Sequence, residues 1–200
     1  MAEPKKSTKQ SAVQDWKQNV VMYLHDLVYL LVALMIVFLV VFRLIVVSGD
    51  SMYSTLVDGD YLLLLSNVFY TEPEHGDIVV ISKESFDDGA PIVKRVIAKE
   101  GQIVDIDFQQ GIVYVDGLPL QEDYINSLTT VHEGIDFPVI VEKGCIFVLG
   151  DNRIVSKDSR SPEIGFVDKR EVLGKALFLF MPGTNHGLSQ QDFSRIGVIR

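Results

Sequence analysis

Apolar residues are spread unevenly along this chain. From Val20 to Val47 they run almost without a break, whereas from residue 48 onward they form short stretches separated by glycine, proline and acidic residues. The centre of the first run, LVYLLVALMIVFLVVF, places 16 uncharged residues between Asp26 and Arg43. At about 1.5 Å of rise per residue this centre spans about 24 Å, short of a hydrocarbon layer of about 30 Å. Val20–Leu24 and Leu44–Val47 make up the difference, so residues 20–47 are expected to form one transmembrane helix. Asp26 would then lie near one interface, and Arg43 would extend its guanidinium to the other. The run is apolar all round and lacks the polar face of a helix packed on a soluble core.

The direction of insertion follows from the residues before the span. Lys5, Lys6, Lys9 and Lys17 lie in a short polar tail, and basic residues next to a span are retained in the cytoplasm. Residues 1–19 are therefore expected to be a cytoplasmic tail, with the first 15 disordered. Residues 48–200 would form an extracytoplasmic domain. A cleaved secretory signal has a shorter apolar region and a small-x-small cleavage site. This run is longer and ends in Leu-Ile-Val-Val, which fits an uncleaved signal anchor.

Beyond residue 48 the pattern predicts strands. Tyr61–Leu65, Asp77–Ile81 and Ile92–Ala98 are brief apolar runs of buried-strand length. Val104, Ile106 and Phe108 alternate with polar residues, Ile112–Val115 reads as the return strand, and Asp116-Gly117 marks a tight turn. Further strands are expected at Val139–Val141, Ile146–Leu149 and Ala176–Phe180. No long 3.6-residue period occurs after the span. The fold class is thus mainly β, with antiparallel or mixed sheets and one N-terminal helix. Residues 101–142 form a hairpin-rich insertion in this scheme.

Charge and composition narrow the functions. The formal net charge is −9; residues 1–43 hold five basic residues against three acidic ones, so the part after Arg43 carries 13 basic and 24 acidic groups and is strongly acidic. That balance opposes nucleic-acid binding, which needs clustered Lys and Arg. Cys145, the single cysteine, permits no intrachain disulfide and sits in an apolar run, where it reads as a small hydrophobe. His25, His75, His132 and His186 show no metal-binding spacing, so neither a metal nor another cofactor is expected. Nothing in the pattern specifies an oligomeric state.

Three patches carry the candidate chemistry. Ser48-Gly49-Asp50-Ser51-Met52-Tyr53-Ser54-Thr55-Leu56 resembles the serine box of bacterial type I signal peptidases, whose Gram-positive members typically read Gly-Asp-Ser-Met-x-Pro-Thr-Leu. Gly76-Asp77-Ile78-Val79 followed by Lys94-Arg95-Val96-Ile97 resembles the lysine box. Gly150-Asp151-Asn152-Arg153-Ile154-Val155-Ser156-Lys157-Asp158-Ser159-Arg160 resembles the family's third box, with Gly165-Phe166-Val167 and Gly174-Lys175 following at the expected distance. A lone Ser-Met or Lys-Arg pair carries no meaning, but three boxes in order after a membrane span are specific.

The resemblance implies a serine endopeptidase that removes signal peptides from secreted preproteins. Ser51 would be the nucleophile and Lys94 its general base. Ser156 would hold the lysine amine by a hydrogen bond, and Asp158, Arg160 and Arg95 would form an ion-paired scaffold. Elementary chemistry agrees, because lysine is a base only when deprotonated, and apolar burial disfavours its charged form. Ile45, Val47, Met52, Leu56, Leu62, Ile92 and Val93 would line pockets for the small substrate residues, with core packing or lipid contact the competing role for each. Two positions depart from the pattern. Ser54 replaces the proline of the serine box, removing a fixed φ. Gly49 stands where some members carry a serine oxyanion donor, which leaves the Ser51 backbone N–H as the main donor.

Other classes remain open. A non-catalytic relative serving as a surface assembly scaffold, for example for pili, would share the fold but lose the serine or lysine. A self-cleaving serine–lysine regulator of the repressor type would lack the span. The base position holds Lys94-Arg95 and not the histidine of eukaryotic-type signal peptidases. No Gly-x-Ser-x-Gly or Ser-x-x-Lys motif indicates a lipase or a penicillin-binding enzyme.

Overall fold

The computed structural model describes residues 7–184 and 191–199. The chain divides into two units, 1–40 and 41–200. The described part of the first is helix α1, Ser7–Val41. Its stretch Asn19–Val41 has 23 residues with a mean hydropathy of 2.6 and no burial against protein. At about 1.5 Å per residue it is about 34 Å long, enough to cross a hydrocarbon layer of about 30 Å.

Two expectations about this region are corrected. The tail was expected to be disordered through residue 15, but its backbone is helical from Ser7; the first six residues lie outside the described ones. The span was expected to run to Val47, but the helix ends at Val41 and Phe42–Val46 is strand β1. Uninterrupted apolar sequence does not distinguish a helix from a strand. Here a leucine-rich partner decides. β1 pairs antiparallel with β2 (Tyr61–Ser66) from Phe42 opposite Leu65 to Val46 opposite Tyr61. Arg43 consequently sits in a ladder opposite Leu64, with its Nη2 donating to Asn67 Oδ1 at 3.4 Å.

The second unit is built on two sheets, and every pairing in them is antiparallel. The larger contains β1, β2, β3 (Ile78–Ile81), β4 (Ile92–Lys99), β9 (Cys145–Leu149), β10 (Val167–Asp168), β11 (Val172–Met181) and β12 (Gly197–Val198). Its order is β1-β2-β11-β3-β4-β9-β10, with β12 added to β11. The smaller comprises β5 (Ile103–Asp107), β6 (Ile112–Val115), β7 (Leu118–Pro119) and β8 (Val139–Ile140), in the order β7-β6-β5-β8. The expected mainly β class is the observed one. The short strands β7, β10 and β12 were not anticipated, since two residues give no periodicity to read.

Three apolar clusters hold the unit together. One joins β2, β3, β4 and β11 to the segment after β1, through Val47, Met52, Leu56, Leu62, Leu64, Val80, Val93 and Ala176. A second unites the sheets, packing Val104, Ile106, Val113 and Val115 of the smaller against Ile97, Phe147 and Leu149 of the larger. The third gathers Val79, Ile81, Val96, Ile146, Val148 and Val172 with Ile164 and Val167. β3, β4 and β9 are buried over nearly their whole length because apolar side chains cover both faces. Lys94 and Arg95 lie in the middle of this buried stretch, and each needs a partner to be there.

Candidate active site

Ser51 stands in a turn that follows β1 directly. The turn is closed below by backbone bonds from Val47 to Asp60 (2.8 Å), Gly59 to Val47 (2.9 Å) and Leu56 to Met52 (2.9 Å). Met52 and Leu56 are buried in the first cluster and anchor both ends of the loop. Gly49 has a φ of +80°, a conformation glycine adopts without a Cβ penalty, and its N–H donates to Asp58 Oδ1 at 2.8 Å. That N–H is therefore engaged, whereas the Ser51 N–H has no acceptor among the described residues.

Lys94 reaches this turn from β4. Its Nζ lies 2.9 Å from Ser51 Oγ and 3.1 Å from the carbonyl oxygen of Val93. The side chain is 3% exposed. Burial pushes the amine down from 10.5 to about 8, against the opposing pull of Asp158, Glu133 and Asp151; the Arg160 cation assists the decrease. In the neutral form the amine has one lone pair, which can accept the Ser51 hydroxyl proton, while an N–H still donates to Val93.

The third box supplies the frame. The Asn152 N–H donates to the Ser51 carbonyl at 3.0 Å, and Asn152 Nδ2 donates to the Asp50 carbonyl at 3.1 Å. Asp151 takes a bidentate pair from Arg95, Nε to Oδ1 at 2.8 Å and Nη2 to Oδ2 at 2.7 Å, and accepts from Thr55 Oγ1 at 2.5 Å. Arg95 also donates to the Gly76 carbonyl at 2.9 Å and stacks on the Tyr124 ring at 4.0 Å. Asp158 and Arg160 form a second bidentate pair with both bonds at 2.8 Å, and both residues are fully buried. Asp158 Oδ2 further accepts the Gly150 N–H at 3.0 Å. Asp158 holds the Arg160 guanidinium in its charged form despite burial.

With this geometry in view, the comparisons with known proteins have one reading. The family described as "Signal peptidase, peptidase S26" matches residues 20–181. The chain belongs to this family. It is 38% identical over 149 residues to the probable signal peptidase I-1 of Synechocystis sp., covering 70% of this chain and 72% of that one. It is 38% identical over 144 residues to a signal peptidase I of Bacillus amyloliquefaciens, covering 68% and 72%. With the signal peptidase I of Bacillus licheniformis the identity is 33% over 190 residues, covering 91% and 96%.

Not every expected site residue of this peptidase S26 member falls where the sequence suggested. Ser51 and Lys94 come together, and Arg95 and the Asp158–Arg160 pair stand in the two separate ion pairs described above. Ser156 does not hold the lysine amine: it is fully buried, and its Oγ donates to the Lys157 carbonyl at 3.4 Å. The second partner of Lys94 is the carbonyl of its own neighbour, Val93, because a strand lysine folding back over its backbone meets that oxygen first. Arg95 and Asp158 do not share one scaffold, since Arg95 pairs with Asp151.

Of the seven expected pocket residues, Val47, Met52, Leu56, Leu62 and Val93 belong to the first apolar cluster, and Ile45 packs against it. Ile92 does not join them. It pairs with Ile81 and packs on the third cluster, as strand alternation requires of a neighbour of Val93. Sequence reasoning also assigned no role to Asp151, Asn152, Thr55 or Glu133. Asp151 and Asn152 lie within a recognised motif, and a buried Arg95 demanding a carboxylate was the available clue.

Proposed function

We propose that the protein is a membrane-bound serine endopeptidase that removes N-terminal signal peptides from secreted preproteins, with Ser51 as nucleophile and Lys94 as general base. The observation that carries this reading is the Lys94 amine, buried and 2.9 Å from Ser51 Oγ. The neutral amine takes the hydroxyl proton as Oγ attacks the scissile carbonyl. The Ser51 N–H donates to the oxygen that becomes negative. The resulting ammonium returns its proton to the leaving amine, and water, deprotonated by the same lysine, then cleaves the acyl-enzyme.

An extended peptide has a place to bind. β3 pairs with β4 from Ile92 to Arg95, whereas β9 pairs with β4 only from Arg95 onward. Among the described residues the other edge of Ile92–Lys94 therefore carries no strand, and a substrate can add there as one. Val93, in that stretch, packs with Val47 and Met52 in the first apolar cluster. The lysines before the span support a cytoplasmic tail and a catalytic unit outside the cell membrane, and Ser51 follows the helix end in sequence after only ten residues. A preprotein threaded across the bilayer presents its cleavage segment on that side of the membrane.

Purified enzyme in detergent, incubated with a preprotein, tests the reading. Ser51→Ala and Lys94→Ala should each abolish cleavage while the circular dichroism spectrum stays unchanged. Cleavage retained by either variant removes that residue from the proposed dyad.

A further inference from the structure

The smaller sheet leads into a segment, 131–135, that is tied to the third box at both ends. Arg160 Nη1 donates to the Val131 carbonyl at 3.1 Å, and the Ile135 N–H donates to the Arg160 carbonyl at 3.1 Å. Midway between these bonds is Glu133. Its Oε2 is shielded from solvent and has no hydrogen-bond partner among the described residues, while the carboxylate faces the backbone N–H of Asp158. A buried carboxylate oxygen with no partner costs free energy, so its retention where its charge acts on the Lys94 amine calls for an explanation.

The surroundings supply one. Asp158 is consumed by the Gly150 N–H and the Arg160 guanidinium, and Asp151 by Arg95 and Thr55. Of the three carboxylates whose charge acts on the Lys94 amine, Glu133 is therefore the one not locked in a bidentate pair. We propose that Glu133 is a positioning residue for the serine–lysine reaction, its carboxylate stabilising the protonated Lys94 that forms when Ser51 gives up its proton. This rests on Lys94 being the base.

The charges around the two groups fix the sign. Lys94 feels Asp158, Glu133 and Asp151 as anions and Arg160 as a cation. Glu133 feels Asp158 as an anion and Arg160 and Lys157 as cations, and burial raises its own titration. His132, next in sequence, is exposed and lies 3.9 Å from Asp136. Removing the Glu133 charge makes the Lys94 ammonium easier to deprotonate and the amine a weaker base. The acid limb of the pH profile then moves to lower pH, and the plateau kcat falls with KM unchanged.

The test is the pH dependence of kcat and KM for preprotein cleavage by the full-length enzyme in detergent, comparing wild type with Glu133→Gln and Glu133→Asp. Glu133→Gln should move the acid limb by about half a pH unit, about a threefold gain in relative rate on that limb. Glu133→Asp, which keeps the charge, should restore the limb toward the wild-type position. A second readout uses Ser51→Ala protein with isotope-labelled lysine, in which the Lys94 resonance should titrate at lower pH when Glu133→Gln is added. An active Glu133→Gln enzyme with an unmoved limb and an unmoved Lys94 titration overturns the proposal and leaves the dyad standing. A Lys94→Ala enzyme that still cleaves overturns both.

Discussion

The backbone N–H of Asn152 donates to the carbonyl of Ser51 at 3.0 Å, so the nucleophile's own peptide unit is held by the third box. The approach leaves no room beside it. A Cβ on Gly150 would meet Ser156 Oγ at 2.2 Å, Ser156 Cβ at 2.4 Å and the Ser51 carbonyl oxygen at 2.5 Å. Gly150→Ala should therefore displace Ser51 from Lys94 and lower kcat by on the order of a hundredfold, the cost of a misplacement near 1 Å. Adding Ser156→Gly relieves two of the three contacts but not the one with Ser51, so the double variant should stay impaired. Full recovery in steady-state assays would show that the Ser51 contact is not the one that matters.

The amine of Lys94 titrates at about 8, and only its neutral form acts as base. kcat/KM should therefore rise about tenfold per pH unit up to about pH 8 and level off above it. A pH–rate series on a soluble peptide substrate checks this. A flat profile from pH 6 to 9 would contradict the assignment of Lys94.

The same shift has a stability counterpart. The folded amine releases its proton near 8, whereas in the unfolded chain it keeps it to 10.5. Between these values the unfolded state holds more protons, so stability rises with pH, and below 8 the folded protein bears the full cost of a buried ammonium. A shift of this size corresponds to about 3 kcal/mol. Lys94→Met, which keeps the bulk without the charge, should be more stable than wild type by about that amount at pH 7. Denaturant titrations of the full chain in detergent should show the gap closing as pH rises toward 10.5.

Asp158 and Arg160 are both fully buried and bonded bidentately. Asp158→Ala leaves Arg160 charged and unpaired, and should cost about 3–5 kcal/mol. Asp158→Leu combined with Arg160→Met replaces the pair by apolar groups and should recover much of the loss, although Gly150 still loses its acceptor. Urea unfolding of the single and double variants measures both.

The legible parts of this molecule are those in which one residue type serves one purpose. The helix through Val40, the alternating hairpin of β5 and β6 and the apolar strands β2, β3, β4 and β9 follow from runs long enough to show a period. Ser51 and Lys94 were found through motif order. The errors cluster where two structures share one composition. Apart from Arg43, Phe42–Val46 continues the apolar run of the helix before it, and pairing with Tyr61–Ser66 makes it a strand. The choice of carboxylate for Arg95 was equally hidden, because Asp151 and Asp158 stand in the same box and partner choice depends on register between β4 and β9, where Arg95 lies opposite Leu149. Ser156 illustrates the opposite limit: motif order placed it next to the site, but its hydroxyl bonds the Lys157 carbonyl.

The Ser51–Asn152 bond joins residues far apart in the sequence of the catalytic unit, and this orders events during the protein's own synthesis. Chains emerge from the ribosome N-terminus first. Ser51 and then Lys94 are exposed long before Gly150, Asn152 and Asp158 exist to fix them. A nascent chain thus carries a serine that is chemically ordinary, and proteolytic competence arrives only once the third box has been made. The fold itself supplies the safeguard that other hydrolases obtain from a removable pro-segment.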